Sequence, residues 1–250
     1  MITGPSEPLG HLPGSSGPAP ADASEPDVRH RLQTVFSAKS WAGDGRAPRS
    51  GPGSSLQRTA RLRTALPGLF ARYGITRFVD APCGDWTWMS HVDLSGIDYI
   101  GADIVPEIVA SNASVHSRDG VRFQVLDITS SPLPASDLFM CRDCLFHLKF
   151  WLRWAFFENF AASDGRYLMT TIDHVHRNRR LRRNGDFYRF DPRLAPFNLP
   201  EPLELIPENH DTIPPDDAAD PARSKKYRSM GLWSIDQIRA AVAARPKTDN

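Results

Sequence analysis

No apolar run in this chain approaches the ~20 residues that a helix needs to cross a bilayer, so no spanning segment is expected. Cysteine is scarce: there are three, an odd number with no framework spacing. That count argues against a disulfide scaffold and for a reducing, cytoplasmic compartment. Charge of one sign is also lacking, since 30 basic residues meet 29 acidic ones for a net charge of +1. Nothing global therefore calls for a nucleic-acid or acidic-membrane partner. The N-terminus does not have the basic, apolar, small-residue order of a signal peptide. No internal repeat is visible.

What is present is unevenly distributed. The chain has 250 residues and 22 prolines, and the prolines concentrate outside its middle. Residues 1 to about 27 are rich in Pro, Gly, Ser and Ala and are expected to be disordered, because they cannot bury enough surface to offset their ordering entropy. Val28 to Phe36 reads as a short helix with Val28, Leu32, Val35 and Phe36 on one face, either covering a site or docked on a sheet. Gly43 to Ser55 reads as linker. The N-terminal arm is thus placed at 1–55 and the folded domain at 56–245.

Within the domain, apolar runs and helical patterns alternate with short connections. Leu56 to Tyr73 reads as a helix stopped by Gly74 and kinked or split by Pro67. Strands are expected at 75–79, 98–102, 121–126, 136–140 and 166–171. Helices are expected at 87–92, 106–114 and 150–162. This alternation predicts an α/β domain with a parallel sheet and helices on both faces. Beyond Asp173 the pattern gives way to an Arg- and Pro-rich insertion at about 176–202. Two strands follow, at 203–206 and 228–233, and are expected to pair antiparallel. A last helix opens on the capping box Ser234 and Gln237.

The stretch Phe78-Val79-Asp80-Ala81-Pro82-Cys83-Gly84-Asp85-Trp86 is a strand that ends in an acid and a tight turn. Asp103 ends the second strand and Asp127 the third. Such strand-end acids suit a nucleoside laid across the carboxyl edge of a sheet. Asp80 can order the turn or hold an amino group through water. Asp103 can accept from ribose hydroxyls, and Asp127 from the exocyclic amine of adenine, with Ile104 and Ile128 as walls. A dinucleotide turn would carry G-x-G-x-x-G to seat a pyrophosphate. This turn has one glycine, with Asp85 where a phosphate would be repelled. A phosphate-free cofactor, S-adenosylmethionine, fits better.

These residues resemble a branch of the class I S-adenosylmethionine-dependent methyltransferases. The resemblance rests on Asp80 to Trp88, Tyr99 to Val105, Leu126 to Thr129, Cys141 to Leu148, Tyr167 to Thr171, Pro196 to Leu203 and Gly231 to Trp233. It implies a Rossmann-like, mostly parallel seven-stranded sheet whose seventh strand is antiparallel, between the fifth and sixth. It also implies cofactor contacts at Asp80, Gly84, Asp103, Asp127 and Ile128. Pro82, Cys83, Asp85, Trp88, Ile104, Cys141 and Arg142 complete the candidate cofactor set. The first loop has fewer glycines than the general pattern, and the insertion departs from the usual helix.

Methyl transfer needs the acceptor aligned and its proton removed. The candidate bases past the fourth and fifth strands are His147, Asp143 and His174, with His147 favoured over His174; Asp143 equally suits a helix N-cap. Arg179 and Arg180, in the cluster 177–183, are the candidate clamp for a carboxylate or phosphate, or else part of a solvated basic loop. Cys141-x-x-Cys144 resembles a metal half-site, but it has no second pair and reads as packing, so no metal is expected. Trp86 and Trp88 either stack on the cofactor or anchor the turn; Trp151 and Trp154 read as core. The expected activity is methylation of a small-molecule hydroxyl, such as that of a sugar or an anionic conjugate. Two alternatives stand beside it: a nicotinamide-dependent oxidoreductase and a non-catalytic binding module of the same fold.

Overall fold

The computed structural model describes residues 1, 25–38, 48–208 and 227–246. The expected disorder of the first residues falls almost wholly outside this set. The elements run α1 (Glu25–Ala38), α2 (Leu56–Tyr73), β1 (Arg77–Asp80), β2 (Asp98–Asp103), α3 (Pro106–His116), β3 (Val121–Val125), β4 (Leu138–Cys141), α4 (Phe150–Ala161), β5 (Tyr167–Asp173), β6 (Glu204–Pro207), β7 (Arg228–Ser234) and α5 (Ile235–Ala243).

The seven strands form one sheet in the order β3-β2-β1-β4-β5-β7-β6. β1 pairs in parallel with β2 and β4, and β7 runs antiparallel between β5 and β6. This is the expected Rossmann-like sheet. Chain direction across the sheet reverses between β1 and β4, which opens a crevice at the carboxyl edge next to β1.

Alternation along the strands splits the core into two layers. Val79, Ile100, Phe139 and Leu168 face a cluster with Leu32 of α1, Phe156, Phe157 and Phe160 of α4 and Ile238 of α5. Phe78, Tyr99, Leu138, Met140 and Met169 face Leu62, Leu66, Leu69 and Phe70 of α2. The Ser234–Gln237 capping box of α5 is present.

Three local expectations change. α2 passes through Pro67 as one helix and does not split. The helix expected at 87–92 is only a 3₁₀ turn, Met89–His91. Trp86, at φ 57°, leaves helical geometry just before it. Its ring is anchored among Tyr99, Phe123 and His116, so it secures the turn from within the core. Trp151 is 47% exposed on the outer face of α4, whereas Trp154 is buried.

Candidate functional site

Two adjoining cavities open at the carboxyl edge and share Phe36, Pro82, Asp103, Ile104 and Cys144. The narrow one, about 40 Å³, lies beneath α1 and is walled by Leu32, Ala81, Ala102, Leu126, Ile128 and Leu148. Asp127 stands at its floor. One carboxylate oxygen accepts from Thr129 N (2.9 Å) and Thr129 Oγ1 (2.7 Å). The other, Oδ2, is buried with no hydrogen-bond partner. A buried acceptor left in that state costs about 1–3 kcal/mol, and a donor arriving in the cavity would recover it.

The wider cavity, about 410 Å³, is lined by Asp80, Cys83, Gly84, Trp88, Asp103, Arg142, Asp143, His147 and Arg228, among others. Burial pushes the Asp80 carboxyl up to about 7, although the Tyr99 hydroxyl donates to it at 2.9 Å. Burial likewise pushes Asp103 up to about 6, against hydrogen bonds from Gly84 N and Val105 N. Gly84 sits at φ +56°, and a Cβ there would lie 2.2 Å from Ser50 Oγ. The turn therefore requires glycine twice over, once for conformation and once for space.

The wall opposite the strand ends is the segment read from sequence as linker. Its residues 49–54 line the wider cavity. Ser50 and Asp85 hold each other reciprocally, Ser50 N donating to Asp85 Oδ2 (3.1 Å) and Asp85 N to Ser50 Oγ (2.7 Å). Arg142 Nη2 donates to Gly53 O (3.0 Å), and a Cβ on Gly53 would meet Asp143 Oδ2 at 2.6 Å.

Behind this wall runs a buried charge network. Arg142 Nε donates to Glu208 Oε1 (2.7 Å), and its Nη1 lies 3.2 Å from Asp143 Oδ2. Arg228 bridges Asp143 Oδ1 (3.1 Å) and Asp173 Oδ1 (3.0 Å). Burial alone would raise the Asp143 carboxyl, but the Arg142 and Arg228 guanidiniums hold it below its ordinary range. An acid so held is a weak proton acceptor, and its contacts tie Asp143 into the charge network. Its left-handed backbone, φ 53°, fits a residue constrained from several sides.

His147 lines the wider cavity. Its Nδ1 lies 2.8 Å from Asp186 O. A carbonyl can only accept, so in the neutral ring Nδ1 carries the proton and Nε2 the lone pair. His174 does not reach either cavity among their lining residues; its ring is tied to Ser229 Oγ (3.1 Å) and Arg193 Nη2 (3.3 Å). Asp85 lines neither cavity and serves the Ser50 wall and Thr87 N. Cys141 is fully buried on the α4 side. Arg179 and Arg180 are exposed and lie over Tyr188 and Phe150, off both cavities. The remaining cofactor candidates, Asp80, Pro82, Cys83, Gly84, Trp88, Asp103, Ile104, Asp127, Ile128 and Arg142, meet along the two cavities.

Sequence reasoning missed the 49–54 wall, Phe146, Phe187, Arg228 and Glu208. The signal for the wall was Gly51-Pro52-Gly53-Ser54-Ser55 running into a helix N-cap; its high Gly and Pro content read as linker. Among the described residues no cluster of three or more His, Cys, Asp or Glu could hold a metal ion, and no helix is long and apolar enough to cross a membrane.

No protein-family model and no curated protein sequence matches this chain. Solved structures do. The N-methyltransferase NodS from Bradyrhizobium japonicum WM9, in complex with S-adenosyl-L-homocysteine, superposes with a TM-score of 0.55 at 12% identity, covering 81% of this chain and 97% of that one. The 1,6-didemethyltoxoflavin-N1-methyltransferase of Burkholderia thailandensis, with 1,6-didemethyltoxoflavin and S-adenosylhomocysteine bound, gives 0.52 at 15% identity, covering 90% and 97%. The chain spans about half the length, 48%, of human N-acetylserotonin methyltransferase in complex with SAM; 58% of this chain is covered, at 14% identity and a TM-score of 0.37. The fold is the class I methyltransferase fold. Within that fold the two cavities lie at the carboxyl edge, beside the point where strand order reverses.

Proposed function

We propose that the protein is an S-adenosylmethionine-dependent methyltransferase that acts on a hydroxyl of a small molecule. The observation that carries this reading is the unpartnered Asp127 Oδ2 in the apolar slot between Ile128, Leu126 and α1. An adenine, with an apolar ring and one exocyclic donor, matches that slot. Asp103 lines both cavities, which supports reading it as the partner of the ribose hydroxyls. Asp80 and Asp103 present carboxylates to a cationic ligand, and the turn after β1 carries one glycine, Gly84, where a dinucleotide would call for G-x-G-x-x-G. That chemistry disfavours a nicotinamide dinucleotide.

The cofactor, when bound, supplies a methyl carbon already activated by a positive sulfur. The chain supplies the rest. Asp127, Ile128 and Asp103 hold the nucleoside. Gly84 and the 49–54 wall close the turn around the other half. His147 Nε2 takes the acceptor's proton, with Asp186 O fixing the tautomer. The expected compartment is the cytoplasm.

Calorimetry checks the cofactor: S-adenosylmethionine and S-adenosylhomocysteine should bind, and NAD should not. NAD binding without S-adenosylmethionine binding would overturn the reading. Binding of the methyl donor with no methylated product, by mass spectrometry, across a broad acceptor panel would favour the non-catalytic module. Replacing His147 with Gln should lower kcat about 100-fold or more while leaving cofactor affinity unchanged. An unchanged kcat would remove His147 as base.

A further inference from the structure

The insertion between β5 and β6 is docked directly on His147. Gly185 N donates to His147 O (2.7 Å), Asp186 O accepts from the ring at Nδ1 (2.8 Å), and Asn184 Oδ1 accepts from Lys149 N (2.9 Å). These bonds hold the backbone that leads straight into Phe187. Phe187 is nevertheless 47% exposed, and it lines the wider cavity beside His147. Its ring centroid lies 4.9 Å from Phe146 at 84°, and 5.9 Å from His147. Phe146 is backed in turn by the Arg228 guanidinium, 5.2 Å from its ring centre. The result is an aromatic face, open to the cavity, next to a histidine whose tautomer is set by the same turn.

The groups around that face are poorly matched to a sugar. A sugar needs hydrogen-bonding partners around its ring. Of the charged side chains that line this cavity, Asp143 and Arg228 are engaged with each other and with Arg142 and Asp173. A flat aromatic ring asks for little polar company and packs well edge-on or offset against phenylalanine. Proton transfer points the same way. Imidazole ionises near ~6.5 and a phenol near ~10, whereas an aliphatic hydroxyl lies near water's ~15.7. A histidine base is far better matched to the phenol.

We infer that the acceptor is a phenol, its ring laid against Phe187 and its hydroxyl at His147 Nε2. This rests on the reading of the cavity as a methyl-transfer site. In the step, the phenol O–H bond breaks and its proton goes to His147 Nε2. The oxygen forms a bond to the methyl carbon as the carbon–sulfur bond breaks, and the sulfur keeps that electron pair as a neutral thioether. His147 then releases its proton to water. Phe187 is thus a specificity-determining residue, and Asp186 a positioning residue acting through the ring of His147.

The test uses the full chain and two independent readouts. Calorimetry titrates catechol and 4-hydroxybenzoate, with cyclohexanol and methyl glucoside as aliphatic counterparts, in the presence and absence of S-adenosylhomocysteine. At least one phenol should bind ten-fold or more tighter than either aliphatic alcohol. Phe187→Ala should weaken phenol binding about ten-fold, Phe187→Tyr should retain it, and S-adenosylhomocysteine should bind all three proteins alike. Equal binding of phenols and aliphatic alcohols, no phenol binding at all, or a Phe187→Ala protein that melts like the parent and binds phenols equally well would each overturn the inference. Failure of the underlying reading looks different: S-adenosylhomocysteine would not bind, while phenol binding would still report on Phe187.

Discussion

A single carboxylate oxygen separates two readings of the narrow cavity. Asp127 has one oxygen engaged by Thr129 and the other buried without a partner. If the slot holds adenine, the isosteric change Asp127→Asn leaves the Thr129 bonds possible through the amide oxygen and puts an NH₂ against the adenine amine. Two donors would then face each other, and a charge-assisted hydrogen bond worth about 1.5–3 kcal/mol would be lost. S-adenosylhomocysteine affinity should fall about 10- to 100-fold with little change in melting temperature. An unchanged Kd by calorimetry would mean that Asp127 has only its turn-forming role. The same scale shows what separates His147 from the other candidate bases. All three were visible as residue types beyond β4 and β5, with His147 favoured over His174, and their contacts now distinguish them. Asp143 is held between two guanidiniums and His174 between Ser229 and Arg193, whereas the proton of His147 is set by a backbone carbonyl.

Elements explain why most of the fold could be read from the chain and part of the site could not. The strands that end in Asp80 and Asp103 announce themselves as apolar runs closed by an acid, and β7 and α5 as a run closed by a capping box. The 49–54 wall has no such periodicity. Its contacts are made largely by backbone and by small side chains, so its composition matches that of a linker. The charge network was illegible for another reason: Arg142, Asp143, Asp173, Glu208 and Arg228 come from four separate places in the chain. α1 lies between these cases. Its apolar face at Leu32 and Phe36 was legible, and the structure lays that face over the narrow cavity, with Gln33 Nε2 donating to Ile104 O at 3.2 Å. If α1 covers the cofactor, Phe36→Ala should raise the Kd for S-adenosylhomocysteine several-fold and lower the melting temperature little, because Phe36 is only partly buried. A large loss of stability with unchanged Kd would make α1 a packing element only. Gly53→Ala tests the wall in the same way. Its Cβ would press on Asp143 Oδ2, and the expected result is weaker ligand binding through a displaced wall.

At the scale of the whole molecule, the parallel pairing of β1 with β2 sets their carboxyl ends side by side, next to the point where strand order reverses, so two buried acids share one crevice. Burial raises Asp80 to about 7 and Asp103 to about 6, from an ordinary value of 3.8. The folded protein therefore holds these protons more tightly than the unfolded chain does. By linkage, their contribution to stability is fully present below about pH 4 and is lost as pH rises through 6 and 7. Ligand binding has the opposite sign. A cationic cofactor whose ribose hydroxyls donate hydrogen bonds favours the ionised carboxylates, so affinity should rise over the same window as protons are released. The melting temperature of the free protein should fall from pH 5 to pH 8, while the upward shift produced by saturating S-adenosylmethionine should grow. Asp80→Asn keeps an acceptor for the Tyr99 hydroxyl and removes the ionisation. It should flatten the fall of the free protein, melting several degrees above the parent at pH 8 and close to it near pH 4. Parallel pH profiles for parent and variant would show that Asp80 does not carry the titration. A ligand-induced shift that stays constant from pH 5 to pH 8 would show that neither acid faces the cationic part of the cofactor.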